Sequence, residues 1–347
     1  MERIRRIGAL VGLGAALALV AASCGDDGGA AGSADEGGSL TVYSGREEEF
    51  VASLFERFEA DTGVQVDVRY GDSAELAATL VEEGDASPAD VFFSQDAGSL
   101  GAVAEAGLFA EIDAGVLERV EKRFRSPEGL WVGTSGRGRV AVYNTDVLDA
   151  TELPASILDL ADPRWKGRIG LPPTNSSFQA HVAAMTLTIG EGPTRDWLEG
   201  LMANDVRFYE DNAATTRAVA AGEIELGLVN HYYKFEVEAE DGSLPIANHY
   251  FESGDPGSFV NTAGVGILAS AEHADAARRF IDYVTGEEGQ SWVATESWEY
   301  PIAPGYEPSV VILAIGRFVG PESQVDLSDL GPALPGALLL LAEVGMV

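Results

Sequence analysis

From Ser39 onward, short apolar strands alternate with amphipathic helices, and this order constrains the fold more than any other feature of the sequence. Residues 40–43 read as a strand. Residues 47–62 follow as a helix, with Phe50, Val51, Leu54, Phe55 and Phe58 on one stripe. Glu47, Glu48 and Glu49 crowd its first turn, where the helix dipole favours acids, and Gly63 supplies a stop. A strand over 64–70, a helix capped by Ser73 and ending at Gly84, a buried strand over 90–93 and a helix over 98–106 come next. The pattern returns in strands at 140–144, 169–171, 226–229 and 265–268. Helices at 177–189, 194–204, 212–221 and 271–285 accompany them. The expected architecture is α/β, with a mixed, mostly parallel sheet and helices on both faces. The chain beyond residue 38 is too long for one small core and suits two lobes.

The first 38 residues have a different character. Arg3, Arg5 and Arg6 precede an apolar run over 7–22 that is short for a membrane span. Ala21, Ala22 and Ser23 then lead into Cys24, the one cysteine of the chain. This resembles a bacterial lipoprotein signal, with Cys24 as the site of lipid attachment; Ala21 stands where a leucine is usual. An ordinary cleaved secretory signal is the alternative. A lone cysteine in an exported chain leaves no disulfide framework. Residues 24–38, nearly all Gly, Ala, Ser, Asp and Glu, read as a flexible tether. Lys and Arg number 22 against 56 Asp and Glu, a formal charge of −34, which argues against nucleic acid as a partner. After residue 39 the apolar runs at 310–315 and 338–341 are too short to cross a bilayer.

Signals of catalysis are weak. The histidines at 181, 231, 249 and 273 are scattered, and no nucleophile elbow, phosphate-loop lysine or paired-histidine zinc motif occurs. The glycine-rich run 133–138 lacks dinucleotide spacing and reads as backbone near a hinge. Polar turns stand where strands end: Ser44-Gly45-Arg46, Ser94-Gln95-Asp96, Thr174-Asn175-Ser176-Ser177, Asp211-Asn212 and Asn230-His231-Tyr232-Tyr233. Ligands of open α/β sheets bind outside the carboxyl ends of strands, and helix amino termini favour anions. Singly, each turn is explained as a helix cap. Together, with two adjacent tyrosines, they suggest a site for a cation with an anion. Phenol ionises near pH ~10, but a bound hard cation removes its proton at neutral pH. His231 fits a hydrogen-bonding role better than that of a ligand.

Several motifs carry a family resemblance. They are Leu40-Thr41-Val42-Tyr43-Ser44-Gly45-Arg46, the helix over 55–63, Ala89-Asp90-Val91-Phe92-Phe93, Ser135-Gly136-Arg137, Val142-Tyr143-Asn144-Thr145, Trp165-Lys166-Gly167-Arg168-Ile169-Gly170, Asn230 to Tyr233, and Asp255-Pro256-Gly257. In combination they resemble the ferric-iron-binding proteins of bacterial ABC importers, over nearly the whole chain from Ser39. The resemblance implies a two-lobed periplasmic-binding-protein fold (type II). Its first lobe would take 39–137 and 264–305, its second 138–263, with C-terminal helices at 306–347 packed on the second lobe. Hinge crossings are expected at 137–140 and 261–265. It also implies iron ligation by Tyr232 and Tyr233. Glu47 stands where some members carry a ligand histidine; it is either a hard oxygen donor that substitutes there or only a helix-start charge. Gln95 replaces a ligand glutamate, with Asp96 beside it as a substitute. The turn that in one subgroup holds a third tyrosine has Asn175, Ser176, Ser177 and Phe178 here, resembling the loop that binds phosphate or carbonate. Asn212 and Asn230 match asparagines that hold that anion, and Tyr143 is read as structural.

The expected protein is no enzyme. It is a monomeric extracytoplasmic receptor, held to the membrane only by a lipid at Cys24, that passes Fe(3+) to an ABC importer permease. A receptor of the same fold for a polyamine, an organophosphate or a sugar acid is the first alternative, and a metal-dependent hydrolase or transferase the second.

Overall fold

The structure is a computed structural model and describes residues 38–307 and 325–347. Cys24, the signal, nearly all of the tether and the apolar run at 310–315 lie outside the described residues. Among the described residues no helix is long and apolar enough to cross a membrane.

The chain opens with β1 (Ser39–Ser44), α1 (Glu48–Thr62), β2 (Gln65–Tyr70), α2 (Ser73–Glu83), β3 (Val91–Ser94) and α3 (Ala97–Glu105). A short α4 (Ala114–Leu117) leads to the long β4 (Val132–Asn144). Then come β5 (Ile169–Leu171), α5 (Ser176–Ile189), α6 (Glu191–Ala203), β6 (Arg207–Phe208), α7 (Asn212–Ala220), β7 (Leu226–Asn230), α8 (Tyr233–Asp241) and β8 (Ile246–His249). The chain returns through β9 (Val260–Ile267), α9 (Ala274–Thr285), α10 (Glu287–Glu296), β10 (Tyr300–Pro301) and α11 (Leu330–Glu343).

The strand order is β2-β1-β3-β9-β4-β7-β5-β6, with β8 and β10 also paired to β4. The pairs β1–β2, β1–β3, β5–β6 and β5–β7 are parallel. Every pairing made by β4 or β9 is antiparallel. The sheet is mixed, because these two strands run against the parallel groups they join. β4 changes partners along its length: it pairs β9 up to Gly138 and β7 from Arg139 onward. The glycines at 133–138 are strand interior. A Cβ at Gly133 would stand 2.5 Å from Thr262 Oγ1 and 2.8 Å from the Phe124 carbonyl, so β4 and β9 approach closely only without one.

The α1 stripe is buried as its spacing predicts, with Phe50, Val51, Leu54, Phe55 and Phe58 all inside. Gly63 ends the helix in the left-handed region at φ 74°. The cap of α2 is Asp72, not Ser73: its carboxylate accepts from the Ala74 amide at 2.8 Å. Ser73 instead ties turns together, its hydroxyl accepting from the Gln95 amide at 2.8 Å and donating to the Gly45 carbonyl at 3.3 Å. The C-terminal helix α11 packs on α3 as well as on α5. It reaches α3 so closely because Gly101 faces Gly331, where a Cβ would lie 3.0 Å from the opposing Cα.

Candidate functional site

The parallel groups β1–β3 and β5–β7 end at the same place, and the turns after them meet there. β7 stops at Asn230, so the two tyrosines escape strand alternation. Tyr232 has helical backbone angles (φ −77°, ψ −22°) and Tyr233 opens α8. Their rings therefore stack on each other, centroids 4.4 Å apart at 30°. The Phe50 ring, from α1 on the opposite side of the site, meets both edge-on, at 5.6 Å from Tyr232 and 6.1 Å from Tyr233. Each tyrosine is 1% exposed.

The two hydroxyls differ. Tyr232 Oη accepts from Arg137 Nη2 at 2.6 Å. Tyr233 Oη has no hydrogen-bond geometry with any described residue, although the Tyr232 hydroxyl is its neighbour. Burial raises the Tyr232 pKa, and Arg137 pulls against that rise. Burial raises Tyr233 well above an ordinary phenol, and Tyr232 and Glu47 push it further. Without a cation both are neutral phenols. A cation that binds them must displace protons, so binding depends on pH.

Arg137 is fully buried on β4 and joins several parts of the site. Its Nη1 donates to the Gln95 carbonyl, its Nη2 to Tyr232, and its Nε lies 3.3 Å from Glu299 Oε1. Glu299 also pairs with Arg46 at 2.9 Å and accepts from the Ser135 hydroxyl. The neighbouring Arg139 has no carboxylate partner among the described residues. It donates to Asn230 Oδ1 at 3.1 Å, Asn212 Oδ1 at 3.4 Å and the Leu228 carbonyl at 2.9 Å. Burial and then Arg137 oppose its charge. Arg139 Nε and Asn212 Nδ2 are buried donors with nothing to bond.

Asn230 Nδ2 donates to Ser177 Oγ at 3.2 Å, which links these donors to the start of α5. Ser176 Oγ donates to Gln95 Oε1 at 3.4 Å, between the turns after β5 and β3. Asn175 caps α5, its side-chain oxygen accepting from Ser177 N at 3.1 Å and Ser177 Oγ at 2.7 Å. Asp96 caps α3, and both of its carboxylate oxygens are occupied by Ser99, at 2.9 and 3.0 Å. It lies buried, away from solvent, with its pKa raised first by that burial. Asp211 caps α7 through the Ala214 amide. Glu47 precedes α1 with no capping hydrogen bond. Although the residue is exposed, partial burial, then Glu49 and Asp211, raise its carboxyl. His231 accepts from the Gly138 amide at 3.2 Å and stacks on Tyr300 at 4.5 Å, and burial lowers its pKa to about 4. It is a hydrogen-bonding residue between β7 and β4.

Sequence reading missed Glu299, Arg139 and Glu236. Glu236, on α8, is 9% exposed, and burial followed by Glu47 pushes its carboxyl up to about 8. No group of three or more His, Cys, Asp or Glu side chains converges among the described residues. The concentration of donors here is phenolic, amide and guanidinium, with isolated carboxyls around it.

Residues 86–313 match the family model of the bacterial extracellular solute-binding proteins. The Fe(3+)-binding periplasmic protein of Serratia marcescens is 39% identical over 92% of this chain and 94% of its own length. Iron-bound HitA from Pseudomonas aeruginosa superposes with a TM-score of 0.85 at 35% identity, covering 89% of this chain and 99% of that one. A Trichodesmium protein in complex with iron and citrate gives 0.76 at 29% identity, covering 89% of this chain and 100% of that one. Motifs, fold and these likenesses agree: the chain belongs to the bacterial extracellular solute-binding proteins, which are receptors and not enzymes.

Proposed function

We propose that this protein captures ferric iron outside the cytoplasm, together with an oxyanion, and delivers it to the permease of an ABC importer. The observation that carries the reading is the stacked, buried pair Tyr232 and Tyr233, with the Tyr233 hydroxyl left without a hydrogen bond. An unpartnered buried hydroxyl costs roughly 1–3 kcal/mol. A hard cation satisfies that oxygen, and phenolate is an established iron ligand. The related proteins named for iron support the choice of metal.

Iron would enter an open cleft and displace both phenolic protons. The Arg137 guanidinium favours the phenolate of Tyr232 by charge-assisted hydrogen bonding. Glu47 supplies oxygen from the facing lobe. Asp96 is the weaker candidate, since a cation would have to take it from the α3 cap. The lobes would be residues 39–137 with 264–305, and 138–263. They would close about crossings at 137–140 and 261–265, and the closed form is the state a permease recognises. Residues 306–347 complete the second lobe in this scheme, although α11 also lies on α3. The protein works as a monomer anchored through lipid on Cys24.

Phosphate or carbonate completes the coordination. Support comes from a buried guanidinium without a carboxylate, Arg139, set beside Asn212 and Asn230, and from the free donors Arg139 Nε and Asn212 Nδ2. Asn175, Ser176 and Ser177 at the start of α5 add hydroxyls and helix amides. Iron affinity should fall in buffer stripped of both anions and recover when either is restored. Ser176→Ala with Ser177→Ala, or Asn212→Ala, should weaken it as well. Full affinity in stripped buffer would show that the protein alone fills the coordination sphere.

A further inference from the structure

Glu236 lies one helical turn after Tyr233 on α8, so the two side chains share a face. It is 9% exposed, and its Oε2 bonds to nothing among the described residues. A glutamate buried to this degree ordinarily has a cation or hydrogen-bond donors around it. Arg217 is the basic group that acts on it, and that side chain is engaged with Glu240 and Asp241. The charge that bears most on Glu236 belongs to another acid, Glu47.

Glu47 reaches this place from α1. It stands three residues before Phe50, and Phe50 is the residue whose ring meets both tyrosines. The starts of α1 and α8 therefore face each other, each with a glutamate one turn from the aromatic contact. At that contact the Tyr233 hydroxyl has no hydrogen bond among the described residues, and Glu47 acts on it electrostatically. No basic side chain of the protein forms an ion pair with either glutamate among the described residues. Arg137 serves Tyr232 and Glu299 instead.

We propose that Glu236 is a further ligand for the cargo cation, joining Tyr233 and Glu47 in one set of hard oxygen donors. The proposal rests on the iron reading above and adds a basis for selectivity to it. With Glu236 included, the phenolates of Tyr232 and Tyr233 and the carboxylates of Glu47 and Glu236 give the site four anionic oxygens. A divalent cation neutralises one fewer of these charges than a trivalent one, which the low-dielectric surroundings of the buried groups penalise. Glu236 thus favours a trivalent over a divalent hard cation.

The test titrates the wild-type chain, Glu236→Gln and Glu236→Asp with ferric iron and with zinc, following visible absorbance and competition with a chelator. In Glu236→Gln, ferric affinity should fall by about tenfold or more, zinc affinity should change less, and a tyrosine-to-iron band should persist. The metal-free variant should melt no lower than wild type, because a neutral amide replaces a buried carboxyl whose Oε2 has no partner among the described residues. If Glu236→Gln does not fold, Glu236→Asp carries the test: it keeps the charge, shortens the reach and should bind ferric iron more weakly than wild type. Wild-type ferric affinity in the folded variant overturns the role of Glu236. A wild-type protein with no coloured ferric complex would instead overturn the iron reading itself.

Discussion

Glu299→Gln tests the electrostatics beneath the tyrosines. Glu299 is 1% exposed, and among the described residues it is the one carboxylate paired with Arg46, 2% exposed, and Arg137, 0% exposed. Glutamine keeps the shape and loses the charge, leaving two buried guanidinium groups uncompensated. Breaking a buried pair from one side costs roughly 3–5 kcal/mol. At about 2–4 °C per kcal/mol for a chain of this size, the melting temperature of the metal-free protein should fall by roughly 6–20 °C. The pH dependence gives a second reading. Burial alone would raise the Glu299 carboxyl, but Arg46 and Arg137 outweigh it and hold the group below its ordinary 4.5. A depressed folded pKa stabilises the protein above 4.5 and loses that contribution as pH falls through the folded value. The gap between wild type and variant, read by calorimetry, should therefore narrow in acid. A drop under about 2 °C at neutral pH, or a gap that stays constant into acid, would refute the reasoning.

Tyr233→Phe should leave the metal-free protein as stable as wild type or up to about 1 kcal/mol more stable, since the lost hydroxyl had no partner. A clear loss of stability in denaturant unfolding would mean that the hydroxyl is bonded. Cys24→Ser should move the protein from the membrane fraction to the soluble one; a native chain that is already soluble, with a free thiol, would contradict lipid anchoring. Small-angle scattering should show a smaller radius of gyration with iron and anion than without, and an unchanged radius would argue against cleft closure.

The elements were legible where one helix or strand decides them. The α1 stripe is the clearest case, because its five apolar side chains need only a core on one side. Asp72 took the capping place expected of Ser73, because Ser73 faces inward to bond the turns after β1 and β3. The strands β4 and β9 were read only from residues 140 and 265 on, because glycine inside a strand looks like loop until the opposing backbone is known. The tyrosine pair was legible as an oddity, but its stacking depended on β7 ending at Asn230. What surrounds it was not legible. Arg46 and Glu299 are 253 residues apart, and no local pattern brings them together. Glu236 looks like an ordinary polar position on α8, and only the packing of the whole chain shows that it is buried. The helix caps at Asp96, Asn175 and Asp211 show why polar turns are ambiguous: the same side chains that suit a ligand also satisfy helix amides.

The central claim is that Tyr232 and Tyr233 bind ferric iron. The most direct measurement is a ferric titration of the wild-type chain, Tyr232→Phe and Tyr233→Phe, read by visible absorbance with phosphate or carbonate present. Wild type should develop a phenolate-to-iron charge-transfer band that saturates. Each variant, folded as well as wild type, should lose the band or shift it strongly and bind iron more weakly. Wild-type colour and affinity retained in both variants would contradict the account.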